Sequence, residues 1–193
     1  MGGLNLEINK VELKPATRFV APTGTYLISC GEEGDNIITV SAATLTCITP
    51  PMVGIAISLQ RYSYSLIKDI GEFVLNVPDV SLLKAVDQCG MLSGKDIDKF
   101  DTTGLTPVKS SVVKPPMIAE CPINIECRVR HRIELGSHDW FIAEIIAVKV
   151  REDFVSKDGK LNAHLLKPIV TIFGKYLSVG SKLVEHGHSQ HTK

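Results

Sequence analysis

The chain has 193 residues, 44% of them hydrophobic and 22% charged, a balance that suits a folded core and excludes a disordered segment. Its 21 basic side chains equal its 21 acidic ones, so it lacks the broad positive field that nucleic acid or an anionic membrane demands, and any anion it holds needs a local pocket. No run reaches the roughly 18 apolar residues of a membrane span. No basic-then-apolar leader opens the chain, and Leu6 stands where a myristoylation pattern has Ser or Thr. The expectation is one cytoplasmic domain over 1–193, with a polar tail over 184–193.

Residues 1–23, punctuated by Pro15 and Pro22, read as an irregular lead-in. Thr25 to Cys30 is a β-rich run, Gly31 to Asp35 has turn chemistry, and Asn36 to Val40 predicts a second strand. Ser41 to Thr49 is rich in Ser, Thr and Ala without a clear period, and Pro50-Pro51 ends it. Met52 to Leu59 predicts a buried strand. Ser63 to Ile70 predicts a short helix with Ser63 as N-cap and Gly71 past its end. A strand over Phe73 to Val77 and a helix over Ser81 to Cys89, stopped by Gly90, come next, and then long loops from Met91 to Pro116.

From Ile123 to Leu135 odd positions are Ile, Cys, Val, His and Leu while even positions are Asn, Glu and Arg, which predicts one strand with a buried and a wet face. On that reading His131 is a core histidine, and Arg128, Arg130 and Arg132 form a solvated or dimer-facing row beside Glu126 and Glu134. A turn at Gly136 to Asp139 leads into a second long strand, Trp140 to Val150, and Pro168 to Phe173 supplies one more. Many strands, two short helices and hairpin links predict an antiparallel sheet closed into a barrel. Five cysteines, without Cys-x-x-Cys spacing, argue for free thiols in the core rather than a disulfide or zinc framework, and no metal site is expected.

Three stretches can carry chemistry. Asn36 to Thr44, with Thr39, Val40, Ser41 and Ala42, offers small and hydroxylated side chains that let a flat ring approach the backbone; the bland alternative is a Thr/Ser-rich strand and loop. Arg61-Tyr62-Ser63-Tyr64-Ser65 opens a helix, where free N–H groups attract phosphate, unless Ser63 is only a cap. Arg61 opposes the helix dipole there, and a bound phosphate reverses the sign of that penalty. His138, beside Gly136 and ahead of Trp140 and Phe141, is either a solvated loop histidine or part of a pocket wall. His186, His188 and His191 crowd a tail without a framework to fix them. No Gly-x-Gly-x-x-Gly, P-loop or Gly-x-Ser-x-Gly pattern is present.

These pieces, joined by Gly71 to Asn76, Ser93-Gly94-Lys95, Asp98-Lys99-Phe100 and Gly136 to Glu144, resemble in order and spacing the flavin reductase-like family, flavoredoxins and ferric reductases included. The likeness covers about residues 17 to 180. It implies a six-stranded antiparallel split β-barrel with short flanking helices, and a homodimer in which both subunits contribute to each FMN site. It implies that Thr39 to Thr44 border the isoalloxazine and that Arg61, Ser63 and Ser65 hold the phosphate. Ser93, Gly94 and Lys95 would then close over the cofactor, His138 would position the nicotinamide, and Trp140 and Tyr176 would line the pocket. The implied chemistry is hydride transfer from NADH or NADPH to FMN, with electrons passed to a flavin, ferric or protein acceptor. The alternative is an FMN electron carrier reduced by a protein partner. One departure is Ala143, where family members commonly carry Gly.

Overall fold

The structure is a computed structural model that describes residues 21–32 and 36–184. In chain order it contains β1 (Thr23–Gly24), β2 (Tyr26–Cys30), β3 (Asn36–Val40), β4 (Ala43–Cys47), β5 (Met52–Ser58), α1 (Tyr62–Ile70), β6 (Glu72–Val77), α2 (Leu83–Met91) and α3 (Lys99–Thr103). There follow β7 (Pro107–Val108), β8 (Met117–Ile118), β9 (Ile123–Glu134), β10 (His138–Val150), β11 (Ile169–Ile172) and β12 (Lys175–Ser178). Residues 1–20 and the histidine-bearing tail from 185 lie outside the described residues.

The main sheet has seven strands in the order β3-β2-β6-β9-β10-β5-β4, with antiparallel pairing throughout. Its two edge strands, β3 and β4, are consecutive in the chain, so the curled sheet forms a split barrel whose seam is crossed by Ser41 and Ala42. The Ala56 N–H donates to the Ala42 carbonyl at 2.8 Å, tying that crossing to β5. Inside the barrel Ile28, Ile38, Ile55, Ile57, Phe73, Leu75, Cys127 and Phe141 pack together, with Ile67 of α1 closing one end. Ala143 is fully buried among them, so the wall accepts its methyl group. Leu27 and Ile37 face the other way, into a second cluster with Val86, Cys89, Phe100, Ile118 and Ile169. Burial on both faces explains why β2 and β3 show no alternation.

Several sequence expectations need correction. The sheet has seven strands rather than six because Ala43–Cys47 is a strand; its middle residues face solvent, which removes the hydrophobic period that would reveal it. Ser63 is not the N-cap of α1: Arg61 takes that position without a side-chain cap, and Ser63 is buried as the second residue of the helix. Gly90 does not stop the second helix, which runs on to Met91, because Gly90 packs against Thr39, where a larger residue would crowd. The stretch 91–116 holds α3 as well as β7, which pairs with β8.

The long hairpin also departs from simple alternation. On its inner half the even face is buried, since residues 105–121 cover Asn124 and Glu126. On the outer half of β9 both faces are wet, while β10 beside it stays buried at Asp139 and Phe141: His131 is exposed rather than core, Ile133 is 48% exposed and Leu135 61%. Arg128, Arg130 and Arg132 are neutralised by Glu72, Glu144 and Glu134, not by Glu126. No disulfide joins the five cysteines, and four are buried; burial pushes the Cys89 thiol up to about 11 and Cys127 up to about 12, which disfavours the reactive thiolate.

The covered face is held by two polar hubs. Asn76 donates to Leu27 and Val74 carbonyls and to Ser29 Oγ, and accepts from the Ile118 N–H and Asn124 Nδ2. The fully buried Glu126 carboxylate accepts from Ser111 N–H and Oγ, Val112 N–H and Val113 N–H at 2.6–3.2 Å. Burial alone would raise its pKa, but those donors outweigh it and the pKa lies below the ordinary value. Glu126→Ala is therefore expected to cost about 3 kcal/mol in urea unfolding, and Glu126→Gln less. A depressed carboxylate adds stability that is complete above its unfolded pKa, near about 4.3, and is lost as pH falls through the folded one; Glu126→Gln removes that part of the acid dependence.

Candidate functional site

Two cavities open at opposite ends of β3, whose four steps span roughly 13 Å at about 3.3 Å each. The larger, about 1040 Å³, lies at the seam. Ser41, Ala42, Ala43, Thr44 and Leu45 form its chain-crossing wall, Trp140 and Tyr26 its barrel side, and Thr171, Phe173 and Gly174 its far side. Among the described residues no Lys, Arg, Asp or Glu lines it. It offers aromatic faces and hydroxyls, which suit an uncharged flat ring. The place of Trp140 depends on Gly54, because a Cβ there would come within 2.5 Å of the indole ring.

The smaller cavity, about 140 Å³, is polar and cationic. Its lining includes Asn36, Arg61, Ser63, Ser93, Gly94 and Lys99. It sits at the start of α1, whose first turn carries no acidic residue and whose first N–H groups lack intrahelical acceptors. Lys99 is 4% exposed, and its ammonium group donates only to the Ile37 carbonyl at 2.7 Å and the Cys89 carbonyl at 2.9 Å. Among the described residues no carboxylate pairs with Lys99 or Arg61. Burial pulls the Lys99 pKa down and nearby Arg61 adds to the effect. Two cations at one cavity without a counter-charge mark a place for an anion.

The Asn36 amide strengthens that conclusion. Its Nδ2 donates to Ser63 Oγ at 2.7 Å, while its buried Oδ1 has no donor. Turned over, the amide accepts from the Ser63 hydroxyl instead and presents an N–H to a ligand, so an acceptor in the cavity relieves the orphan atom. Gly94 is required beside it, since a Cβ there would lie 2.2 Å from Oδ1.

The structure thus sorts the sequence candidates into groups. Ser41, Ala42, Thr44 and Trp140 line the large cavity, and Asn36, Arg61, Ser63, Ser93 and Gly94 the small one. The others line neither. Thr39 turns its hydroxyl to the Val86 carbonyl, and Val40 is buried in the core. Ser65 is exposed and bonds the Tyr62 carbonyl at 2.9 Å, one turn away from the cavity wall. Lys95 is exposed, and Tyr176 packs into the second core cluster near Asp87. His138 is exposed at the mouth of β10, with Nδ1 2.9 Å from Ser137 Oγ. Lys99 carries the family resemblance in Asp98-Lys99-Phe100 but is not among the sequence-predicted site residues, although it stands between Asp98, the N-cap of α3, and the buried Phe100, and a lysine on the inward side of a helix start is a visible anomaly. The sequence reading also passed over Tyr26, Thr171 and Phe173, which chain distance separates from the seam.

A family profile described as "Flavin reductase like domain" matches residues 18–179. A protein of Archaeoglobus fulgidus is 40% identical over 84% of this chain and 91% of its own length. The structure superposes on a flavoredoxin of Desulfovibrio vulgaris (Miyazaki F) with a TM-score of 0.85 at 29% identity, covering 93% of this chain and 100% of that one. A flavoredoxin from Methanosarcina acetivorans gives a TM-score of 0.84 at 26% identity over 93% and 96% of the two chains.

The sign of the pH effect at the small cavity follows from Lys99. An anion favours the charged ammonium, so affinity is full where Lys99 is protonated and falls as pH rises through its depressed pKa, below the ordinary lysine value of about 10.4. FMN titrations between neutral and alkaline pH are expected to show that fall in the wild type. Lys99→Met is expected to weaken binding about 10- to 100-fold at neutral pH and to flatten the profile.

Proposed function

The chain belongs to the flavin reductase-like domain family, and on that premise we propose that it is a cytoplasmic FMN oxidoreductase that takes hydride from NADH or NADPH. The observation that supports this most is the pairing of an uncharged aromatic cavity with a cationic one across the length of β3, a spacing comparable to the reach from a flavin ring to its phosphate. FMN, when bound, supplies the hydride- and electron-accepting chemistry.

The chain's own groups bind and orient. Trp140, held flat on Gly54, provides a face for the ring, and the Ser41 and Thr44 hydroxyls serve its polar edge. Lys99, Arg61, Asn36 and Ser63 hold the anionic end. His138 positions the nicotinamide from outside the cavities. Electrons leave to a flavin, a ferric complex or a redox protein. Apolar side chains left exposed at the seam and on the hairpin arm, Leu45 at 61%, Ile48 at 79% and Leu135 at 61%, are covered by a second copy in a homodimer. The second reading is an FMN electron carrier that a protein reduces; the likeness to two flavoredoxins favours it.

Anaerobic mixing of the FMN form with NADH and with NADPH separates the readings. Bleaching of the flavin absorbance within a turnover time is the expected result, and unchanged absorbance with both would leave the carrier. His138→Ala is expected to slow NADH oxidation about tenfold while FMN affinity stays the same. Riboflavin is expected to bind more weakly than FMN and to be insensitive to Lys99→Met. Equal losses for both ligands would put the ring's pyrimidine edge, rather than the phosphate, beside Lys99. Sedimentation is expected to give the mass of a dimer, and Ile48→Asp that of a monomer.

A further inference from the structure

Both cavities adjoin β3, but the small one also takes its wall from the start of α1 and the large one from β10. A side-chain brace joins those two further elements. Asp139, on β10 between His138 and Trp140, is 2% exposed. Its carboxylate accepts from Tyr64 Oη at 2.7 Å and from Arg132 Nη1 at 3.1 Å. Arg132 Nη1 also donates to Tyr64 Oη, and Nη2 to Glu134. Tyr64 is in the first turn of α1, next to the cavity residue Ser63, and its ring meets Phe141 edge-on at 5.6 Å. One buried carboxylate therefore joins α1, β9 and β10 at the point where both cavities take their walls.

We propose that Asp139, acting through Tyr64 and Arg132, is a positioning residue that sets the distance between the two cavities so that a single FMN engages both. This rests on the FMN reading above. A buried ionised group is costly unless it is paired, and an apolar residue at a strand–helix contact would pack as well. The brace differs from apolar packing in being directional: two of its three hydrogen bonds end on Tyr64 Oη and fix the rotation of α1 about its own axis, and with it the aim of Arg61 and Ser63.

The test compares FMN with riboflavin, which lacks the phosphate, using quenching of Trp140, the chain's single tryptophan. Tyr64→Phe keeps the ring contact with Phe141 and removes the hydrogen bonds; Asp139→Asn keeps the volume and removes the charge. In both variants riboflavin affinity is expected to match the wild type, while the advantage of FMN over riboflavin falls about tenfold, the loss of effective concentration that follows when two linked contacts no longer fit together. Thermal unfolding run alongside identifies any variant that fails to fold, and Tyr64→Phe, the milder change, carries the result in that case. Parallel weakening of both ligands, an unchanged ratio, or a wild type that does not distinguish the two overturns the inference. A wild-type protein that takes up no flavin at all defeats the FMN reading itself.

Discussion

A curled sheet whose first and last strands are neighbours in the chain has to leave a seam, and two residues have to cross it. In this fold the residues are Ser41 and Ala42, between β3 and β4. Their backbone leaves the ladder, so N–H and C=O groups that a continuous sheet would consume are free for other partners, and one of them is taken by Ala56. Both cavities are set out relative to that opening. β3 leads into it from the cationic cavity, β4 forms its lip, and β10 brings Trp140 alongside.

The charge distribution follows the same geometry. Where cations of the barrel are paired, the pairs are at its surface, as Arg128–Glu72 and Arg130–Glu144 are. Lys99 and Arg61 meet at one cavity instead, and Lys99 does so under cover, held by the Ile37 and Cys89 carbonyls. A neutral chain can thus present a concentrated positive field to a small anion without attracting polyanions.

The strands with one clear face were legible in the sequence: Met52 to Ser58, and the hairpin of β9 and β10. The barrel class followed from them. β4 escaped because its inner residues face solvent and neither side carries a period, and β9 misled in the opposite sense, since its polar positions Asn124 and Glu126 are buried by a loop that shows no period of its own. Arg61 and Ser63, singled out by the helix-start argument although Ser63 does not cap the helix, and Asn36, which opens the small-residue stretch, line the cationic cavity. Lys99 and Phe173 were not singled out, because what makes them relevant is contact across the fold rather than any local pattern.

The grip of Glu126 on three successive backbone N–H groups reaches beyond local stability. Residues 110–114 owe their order mainly to that carboxylate and to Glu72, while the strands beneath keep a complete ladder without them. An opening of the covering segment would leave that ladder closed, so its amide protons are expected to exchange ahead of those of β6 and β9.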